Sequence, residues 1–301
     1  MQAANLISQR LNVAVDMGET NSTHVHKFIA SANNDHRLRD YLCGPKKGPI
    51  PIPIAMKILV PISSVPDTTT KVGFVDNDTR FNEAGVQWIV NPYDEWYALV
   101  RALELTENSG GQVTVMCVGK ADTEQVIRKA LALGANDAVR VDAEATDSYF
   151  TAIQIAEFAK GKGYDMILLG KETISFNGSE VGGMVAELLD LPYISLASKL
   201  DVNGTTAILE RSIEGGVEVV EVAMPFAASC SKGMAEARIP NMRGIMAART
   251  KPLNVVPAAA CDRLVVYEKF SLPAPKSSCR MVDPEKMDEL VNLLHTEAKI
   301  I

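Results

Sequence analysis

Asp165-Met166-Ile167-Leu168-Leu169-Gly170 is a short apolar run closed by glycine, the size of a strand buried on both faces; a polar loop and a helical stretch, Val181–Leu189, follow it. The same unit recurs upstream. Lys57–Ile62 (KILVPI) reads as a first strand, and Asn91-Pro92 starts a helix that carries Trp96, Leu99, Val100 and Leu103 on one face as far as Glu107. Val113–Val118 (VTVMCV) is a second strand. Asp122 with Gln125 three residues on reads as a capping box for a helix containing Val126, Ile127, Ala130 and Leu131, which Gly134 stops. Ala138–Val141 is a third strand, and the helix Tyr149–Lys160 leads back to the opening run. Strands alternating with helices predict an α/β protein with a doubly wound, mostly parallel sheet.

Beyond Leu189 the rhythm changes. Lys199–Val202, Thr206–Arg211 and Val217–Val222 are separated by Asn203-Gly204 and Glu214-Gly215-Gly216, so an antiparallel hairpin extension is expected, with Ala227–Cys230 returning to the main sheet. Ser231–Lys251 holds too many Gly, Pro, Arg and Met residues for regular core structure and reads as an exposed loop. Cys261–Pro275 reads as an extended arm, and Pro284 opens a last amphipathic helix with Met287, Leu290, Val291 and Leu294 on one side. The expected division is an α/β domain over 56–260 and a C-terminal arm and helix over 261–301. Residues 1–55, polar and ending in Pro49-Ile50-Pro51-Ile52-Pro53, read as a disordered extension, an upstream start or a non-native stretch, with a small ordered appendage as the alternative.

With 301 residues and 47% hydrophobic content the chain can bury a large core, while a net charge of −7 argues against a nucleic-acid surface. No apolar run approaches the roughly 20 residues that span a bilayer, so neither membrane insertion nor secretion is indicated and a cytoplasmic location is expected. The five cysteines, Cys43, Cys117, Cys230, Cys261 and Cys279, are scattered and form no CxxC pair. That scatter also argues against an enzyme with its own redox cysteines. His24 and His26 have no further metal-ligating partner nearby and read as solvated, so no metal is expected.

Ligands of open α/β sheets bind beyond the carboxyl ends of the strands. Three loops qualify: after Val60-Pro61, at Cys117-Val118-Gly119, and from Gly170 to Gly183, where Gly178, Gly182 and Gly183 let backbone amides approach a phosphate at a helix start. The third loop is neither a Walker loop nor a GxGxxG fingerprint. Lys171 is a candidate phosphate contact or a solvated cation, and Glu210, Glu214 and Glu218 read as hairpin surface charge. His295 is the only histidine past the extension, and no Ser, Cys or carboxylate has a visible partner for catalysis, so no catalytic residue is expected.

Six stretches in fixed order, KILVPISSVPD at Lys57–Asp67, Asn91-Pro92-Tyr93-Asp94-Glu95, IRKALALGA at Ile127–Ala135, DMILLGKETI at Asp165–Ile174, ERSIEGGVE at Glu210–Glu218 and ARIPNMRGIMAARTK at Ala237–Lys251, resemble the electron transfer flavoprotein beta subunit over nearly all of 56–301. The resemblance implies a Rossmann-like adenine-nucleotide-binding fold and an electron carrier, not an enzyme. It implies a heterodimer whose alpha subunit holds most of the FAD. Electrons would come from acyl-CoA or other flavin dehydrogenases, as in fatty acid oxidation, and pass to a quinone oxidoreductase. It places a structural AMP against Pro61, Asn91, Val118 and Gly119 near adenine and ribose, with Gly178, Ser179, Glu180, Val181 and Gly182 around the phosphate. Electron-bifurcating members hold a second FAD there instead; Ser175-Phe176 departs from their Asp-Gly. The chain equally lacks the acidic stretch after Ile174 and the small polar residue at Val181 common in ordinary members, so neither pattern is met, and bulky Phe176 in place of the bifurcating glycine favours AMP. Thr68 stands where many relatives place an aromatic near the flavin. About residues 232–251 the family has a recognition loop, giving Ile239, Met242, Ile245 and Met246 as dehydrogenase contacts with Met242 as anchor. A stand-alone adenine-nucleotide binder of the universal-stress kind would explain the sheet but neither the arm nor that loop.

Overall fold

The structure, a computed structural model, describes residues 25–27, 55–107, 109–145, 147–275 and 279–301. Apart from Val25–Lys27 and Ala55, the expectation for residues 1–55 lies outside the described residues. Two units divide the chain: Met1–Thr70 with Ala84–Val266, and Lys71–Glu83 with Tyr267–Ile301.

In chain order the elements are β1 (Val25–Lys27), β2 (Lys57–Pro61), β3 (Ser64–Pro66), β4 (Phe74–Val75), β5 (Arg80–Phe81), β6 (Trp88–Val90), α1 (Asp94–Glu107), β7 (Gln112–Val118), α2 (Glu124–Leu133), β8 (Asp137–Asp142), α3 (Ser148–Ala159), β9 (Met166–Gly170), α4 (Val181–Leu188), β10 (Tyr193–Asn203), β11 (Thr206–Ile213), β12 (Gly216–Ala223), β13 (Phe226–Cys230), α5 (Met242–Ala248), β14 (Leu253–Pro257) and α6 (Met287–Leu293). The first unit is built on a ten-stranded sheet of order β1-β12-β11-β10-β13-β9-β2-β7-β8-β14. From β10 through β13 to β14 every pairing is parallel, and the hairpin pairings β10–β11 and β11–β12 are antiparallel.

Side-chain alternation explains the double winding. Ile58 and Val60, Val113, Val115 and Cys117, and Met166 and Leu168 face one core with Leu99, Leu103, Ile127 and Leu131 of α1 and α2. Their neighbours Leu59, Met116, Ile167 and Leu169 face a second core with Ile155 of α3 and Val185 of α4. Strands buried on both faces read as unbroken apolar runs, and helices on both sides are the only way to cover them. The predicted doubly wound α/β fold with a hairpin extension is therefore the fold observed.

Four local readings are corrected. Helix α1 starts at Asp94 rather than at Pro92, because Tyr93 takes a left-handed φ of 65°. The Asp122–Gln125 capping box does not form: a 3-10 turn, Ala121–Thr123, precedes α2, and Thr123 Oγ1 donates back to the Lys120 carbonyl at 2.7 Å. Part of the segment read as an irregular loop is helical, namely α5, capped by Asn241, whose Oδ1 accepts from the Gly244 N–H at 2.8 Å. Finally, β14 was not anticipated. It pairs with β8 at the sheet edge, where its terminal Pro257 leaves no central ladder incomplete.

In the second unit, β4 and β5 form a small hairpin on which Phe270 stacks against Phe74, ring centroids 5.2 Å apart, while the Phe270 N–H donates to the Asp78 carbonyl at 2.8 Å. Helix α6 in the same unit exposes Met287 and Val291.

Candidate functional site

Along the chain, strands are laid from β2 outward through β7 to β8, and the next, β9, returns to the other side of β2. The carboxyl ends of β2 and β9 therefore mark the switch point where an open sheet offers a crevice. At the end of β9, Gly170 is required by close packing: a Cβ there would lie 2.6 Å from Glu95 Cγ and 2.9 Å from Glu95 N, so its absence lets the start of α1 dock on the strand end.

Asn91 acts as a clamp. Its Nδ2 donates to the Glu172 carbonyl at 2.9 Å and its Oδ1 accepts from the Ile174 N–H at 2.9 Å, so one buried amide fixes the start of the loop after β9. Both ends of that side chain are committed to the loop. Beyond it, the Asn177 N–H donates to the Thr173 carbonyl at 2.9 Å, and Asn177 and Ser179 take left-handed φ values of 50° and 54°. Ser179 Oγ donates to Glu172 Oε2 at 2.8 Å, and Lys171 pairs with Glu172 Oε1 at 2.8 Å. Lys171 is thus held by a carboxylate of its own loop. Residues 174–180 are exposed, and Glu180 places no side-chain cap on α4. The start of that helix is thus left without a side-chain acceptor from its N-cap residue.

Gly182 has a second reason to be glycine. A Cβ on it would lie 2.7 Å from the Tyr193 hydroxyl and 3.1 Å from the ring, so this buried position serves packing of α4 on β10. Pro61 closes β2 and is buried; beside it the Ile62 N–H donates to the Met116 carbonyl at 2.7 Å, close to the end of β7 at Val118 and to Gly119 that follows it. The Gly119 N–H donates to the Val141 carbonyl at 3.0 Å, and a Cβ there would meet Thr123 Cγ2 at 2.5 Å.

Two functional-looking residues escaped the sequence reading. Glu95 is buried and accepts from the Ser63 N–H at 2.6 Å and from Ser63 Oγ at 2.8 Å, tying α1 to the chain leaving β2. Burial pushes its carboxyl up to about 8, Ser63 opposes that shift, and Asp94 adds to it. Arg140, buried in β8, donates to the Gly119 carbonyl at 3.0 Å and to Asp142 and Glu124 at 2.6 and 3.1 Å. Its signal was an arginine inside an apolar strand. Cys117 and Cys230 are buried; burial raises both thiols, Cys117 to about 12, which keeps them out of thiolate chemistry.

Ile239, Met242, Ile245 and Met246 lie apart from the crevice on α5 and the residues before it. Ile239 is 92% exposed and Met242 73%. Their support is rigid. Arg128 Nη1 donates to the Ala248 and Lys251 carbonyls at 2.8 and 2.7 Å, Lys251 Nζ donates to the Leu131 carbonyl at 3.0 Å, and Trp96 Nε1 donates to the Arg238 carbonyl at 3.1 Å. A hollow of about 520 Å3 between α2 and α5 is lined in part by Arg128, Lys129, Ile245 and Arg249.

These features define an open α/β protein with a topological switch point between β2 and β9 and a separate exposed apolar patch. Comparison with known proteins gives the family. The family model described as "Electron transfer flavoprotein domain" matches residues 78–261. The electron transfer flavoprotein subunit beta of Bacillus subtilis is 34% identical over 261 residues, covering 82% of this chain and 100% of that protein. The subunit beta of Syntrophomonas wolfei is 34% identical over 232 residues, 76% of this chain and 91% of its own. The acryloyl-CoA reductase electron transfer subunit gamma of Anaerotignum propionicum is 32% identical, with 79% and 98% covered. The chain belongs to the electron transfer flavoprotein beta-subunit family, whose members are electron-carrier subunits. Among the described residues no helix is long and apolar enough to cross a membrane.

Proposed function

We propose that this chain is the beta subunit of a heterodimeric electron carrier in the cytoplasm, binding a structural AMP in the switch-point crevice and docking acyl-CoA-type flavin dehydrogenases through the α5 segment. The alpha subunit holds most of the FAD, which supplies the electron carriage, and the reduced heterodimer delivers to a quinone oxidoreductase. The observation that supports the nucleotide assignment is the Asn91 clamp on Glu172 and Ile174, which fixes the start of the loop that leaves the carboxyl end of β9 and runs on to Gly178–Gly182. The residues fit a phosphate held by backbone: α4 has no side-chain cap, and Lys171 is already paired with Glu172. Val181 and Gly182 amides would meet the phosphate, with Ser179 and Glu180 at the rim and Pro61, Val118 and Gly119 toward the base. A ligand bound only by the native state stabilises it by mass action.

A second reading, a second FAD in place of AMP, gains support from relatives named as parts of acyl-CoA reductase systems, in Anaerotignum propionicum and Acetobacterium woodii. The small molecules released on denaturing the co-expressed heterodimer separate the two. One FAD with one AMP per heterodimer is expected. Two FAD without AMP overturns the AMP assignment, and absence of any adenine nucleotide overturns both.

A further inference from the structure

Three elements meet at Glu95. From α1 its side chain reaches Ser63 on the chain leaving β2, and Gly170 at the end of β9 packs so closely that a Cβ there would lie 2.6 Å from Glu95 Cγ. The residues just before it hold the loop after β9. Asn91 grips the Glu172 carbonyl and the Ile174 N–H, both at 2.9 Å, and Asp94 accepts from the Glu172 N–H and faces Lys171. The seat of Glu95 is therefore also the seat of that loop.

Its surroundings suit a neutral acid. Ser63 supplies two bonds, through its N–H at 2.6 Å and its Oγ at 2.8 Å, and the second survives whether hydroxyl or carboxyl carries the proton between them. An anion finds less. Asp94 on the same helix is a like charge, Cys117 of β7 is kept neutral by burial, Gly170 brings no side chain, and Lys171, beyond Asp94, is paired with Glu172. Burial is the main obstacle to the charge, Ser63 alone favours it, and Asp94 adds to its cost. A buried charge with no counter-ion must draw in water. The contact with Gly170 has no room for it unless the start of α1 moves, and Asn91 and Asp94 would move with it.

We propose that protonated Glu95 is a positioning residue for the loop after β9: neutral, it lets α1 dock on the ends of β2 and β9 and so sets the Asn91 clamp, and ionised, it wets that contact and frees the loop. The nucleotide consequence rests on the phosphate site proposed above. Since the carboxyl titrates at about 8, the loop is held below that pH and released above it.

Hydrogen exchange of the full chain, followed by mass spectrometry on the peptide 171–177 and corrected for intrinsic rates, tests the role. The Lys171, Ile174 and Asn177 amides of that peptide are hydrogen-bonded. In the wild type its protection should decline as pH approaches 8 and be gone by pH 9, while the strand peptide 112–118 stays protected. Glu95→Gln, which keeps both bonds to Ser63 but cannot ionise, should hold the loop at pH 9. A loop still protected at pH 9 in the wild type, the same loss in Glu95→Gln, or parallel loss in 112–118 would each overturn the proposal; should the variant misfold, the wild-type profile alone decides. AMP affinity should weaken about tenfold from pH 7 to 9 in the wild type and stay flat in Glu95→Gln, because about a tenth of the molecules keep the loop set at pH 9 while the phosphate charge is constant. No AMP binding at any pH would remove the nucleotide reading and leave the exchange profile to decide this one.

Discussion

At the scale of single residues, Glu95 is the carboxyl group whose ionisation the fold most strongly alters among the described residues. Its carboxyl is pushed up to about 8 by burial, against the ordinary value of 4.5. Between those values the unfolded chain carries the charge and the folded chain does not. Glu95 therefore contributes stability that is complete below about pH 4.5 and is lost as pH rises through about 8. Glu95→Gln cannot ionise, and its amide can still accept from the Ser63 N–H and donate to Ser63 Oγ. The stability difference between wild type and Glu95→Gln, measured by urea denaturation, should move against the wild type from pH 5 to 8, by on the order of a few kcal/mol, and level off above that. A difference that stays flat across that range would show that Glu95 is ionised in the fold.

At the scale of elements, α5 combines a fixed base with a free outer face. Gly244 lies so close to the Ala132 carbonyl that any side chain would push α5 off α2. Arg128 and Lys251 hold its far end through backbone carbonyls, Lys251 at the negative end of α2. Met242, 73% exposed, takes no part in that anchoring. Met242→Ala should therefore leave stability within about 0.5 kcal/mol yet slow reduction by the dehydrogenase several-fold, since a flexible thioether is suited to be an interface anchor. Gly244→Val should lower both melting temperature and reduction rate. Stopped-flow reduction over a range of dehydrogenase concentrations checks both; wild-type kinetics in Met242→Ala would remove Met242 from the docking surface.

At the scale of the whole molecule, the chain presents more apolar surface than a solitary subunit needs. In the first unit Leu264, Val265 and Val266 are exposed although Asp147 fixes their backbone, its Oδ2 accepting from the Leu264 and Val265 N–H groups at 3.0 and 3.4 Å, and Gln154 clamps Ala259 in both directions at 3.0 and 2.7 Å. Polar groups hold this segment in place while its apolar side chains face outward, which suits a surface meant for another chain. Truncation at residue 261 should abolish co-purification with the alpha subunit and leave the ten-stranded core cooperative in thermal unfolding. An unchanged yield of heterodimer after truncation would mean that the alpha subunit docks elsewhere.

Local sequence was sufficient wherever a physical signal is local. Doubly buried strands must be unbroken apolar runs, so Lys57–Pro61, Gln112–Val118 and Met166–Gly170 were legible, as were the Asn203-Gly204 turn and the stop at Gly134. The candidate crevice was legible as three strand-end loops. What joins those loops was not, because the clamp of Asn91 on Ile174 spans 83 positions and the contact of Glu95 with Ser63 spans 32. Edge strand β14 escaped because its apolar pattern is weak and its partner β8 lies more than a hundred positions away; α5 escaped because its helix forms on the surface of α2 rather than from its own propensity. The neighbourhood of Lys57, Lys162 and Asp137 likewise exists only in the folded chain, since no sequence period brings together residues from two separate strands and a turn.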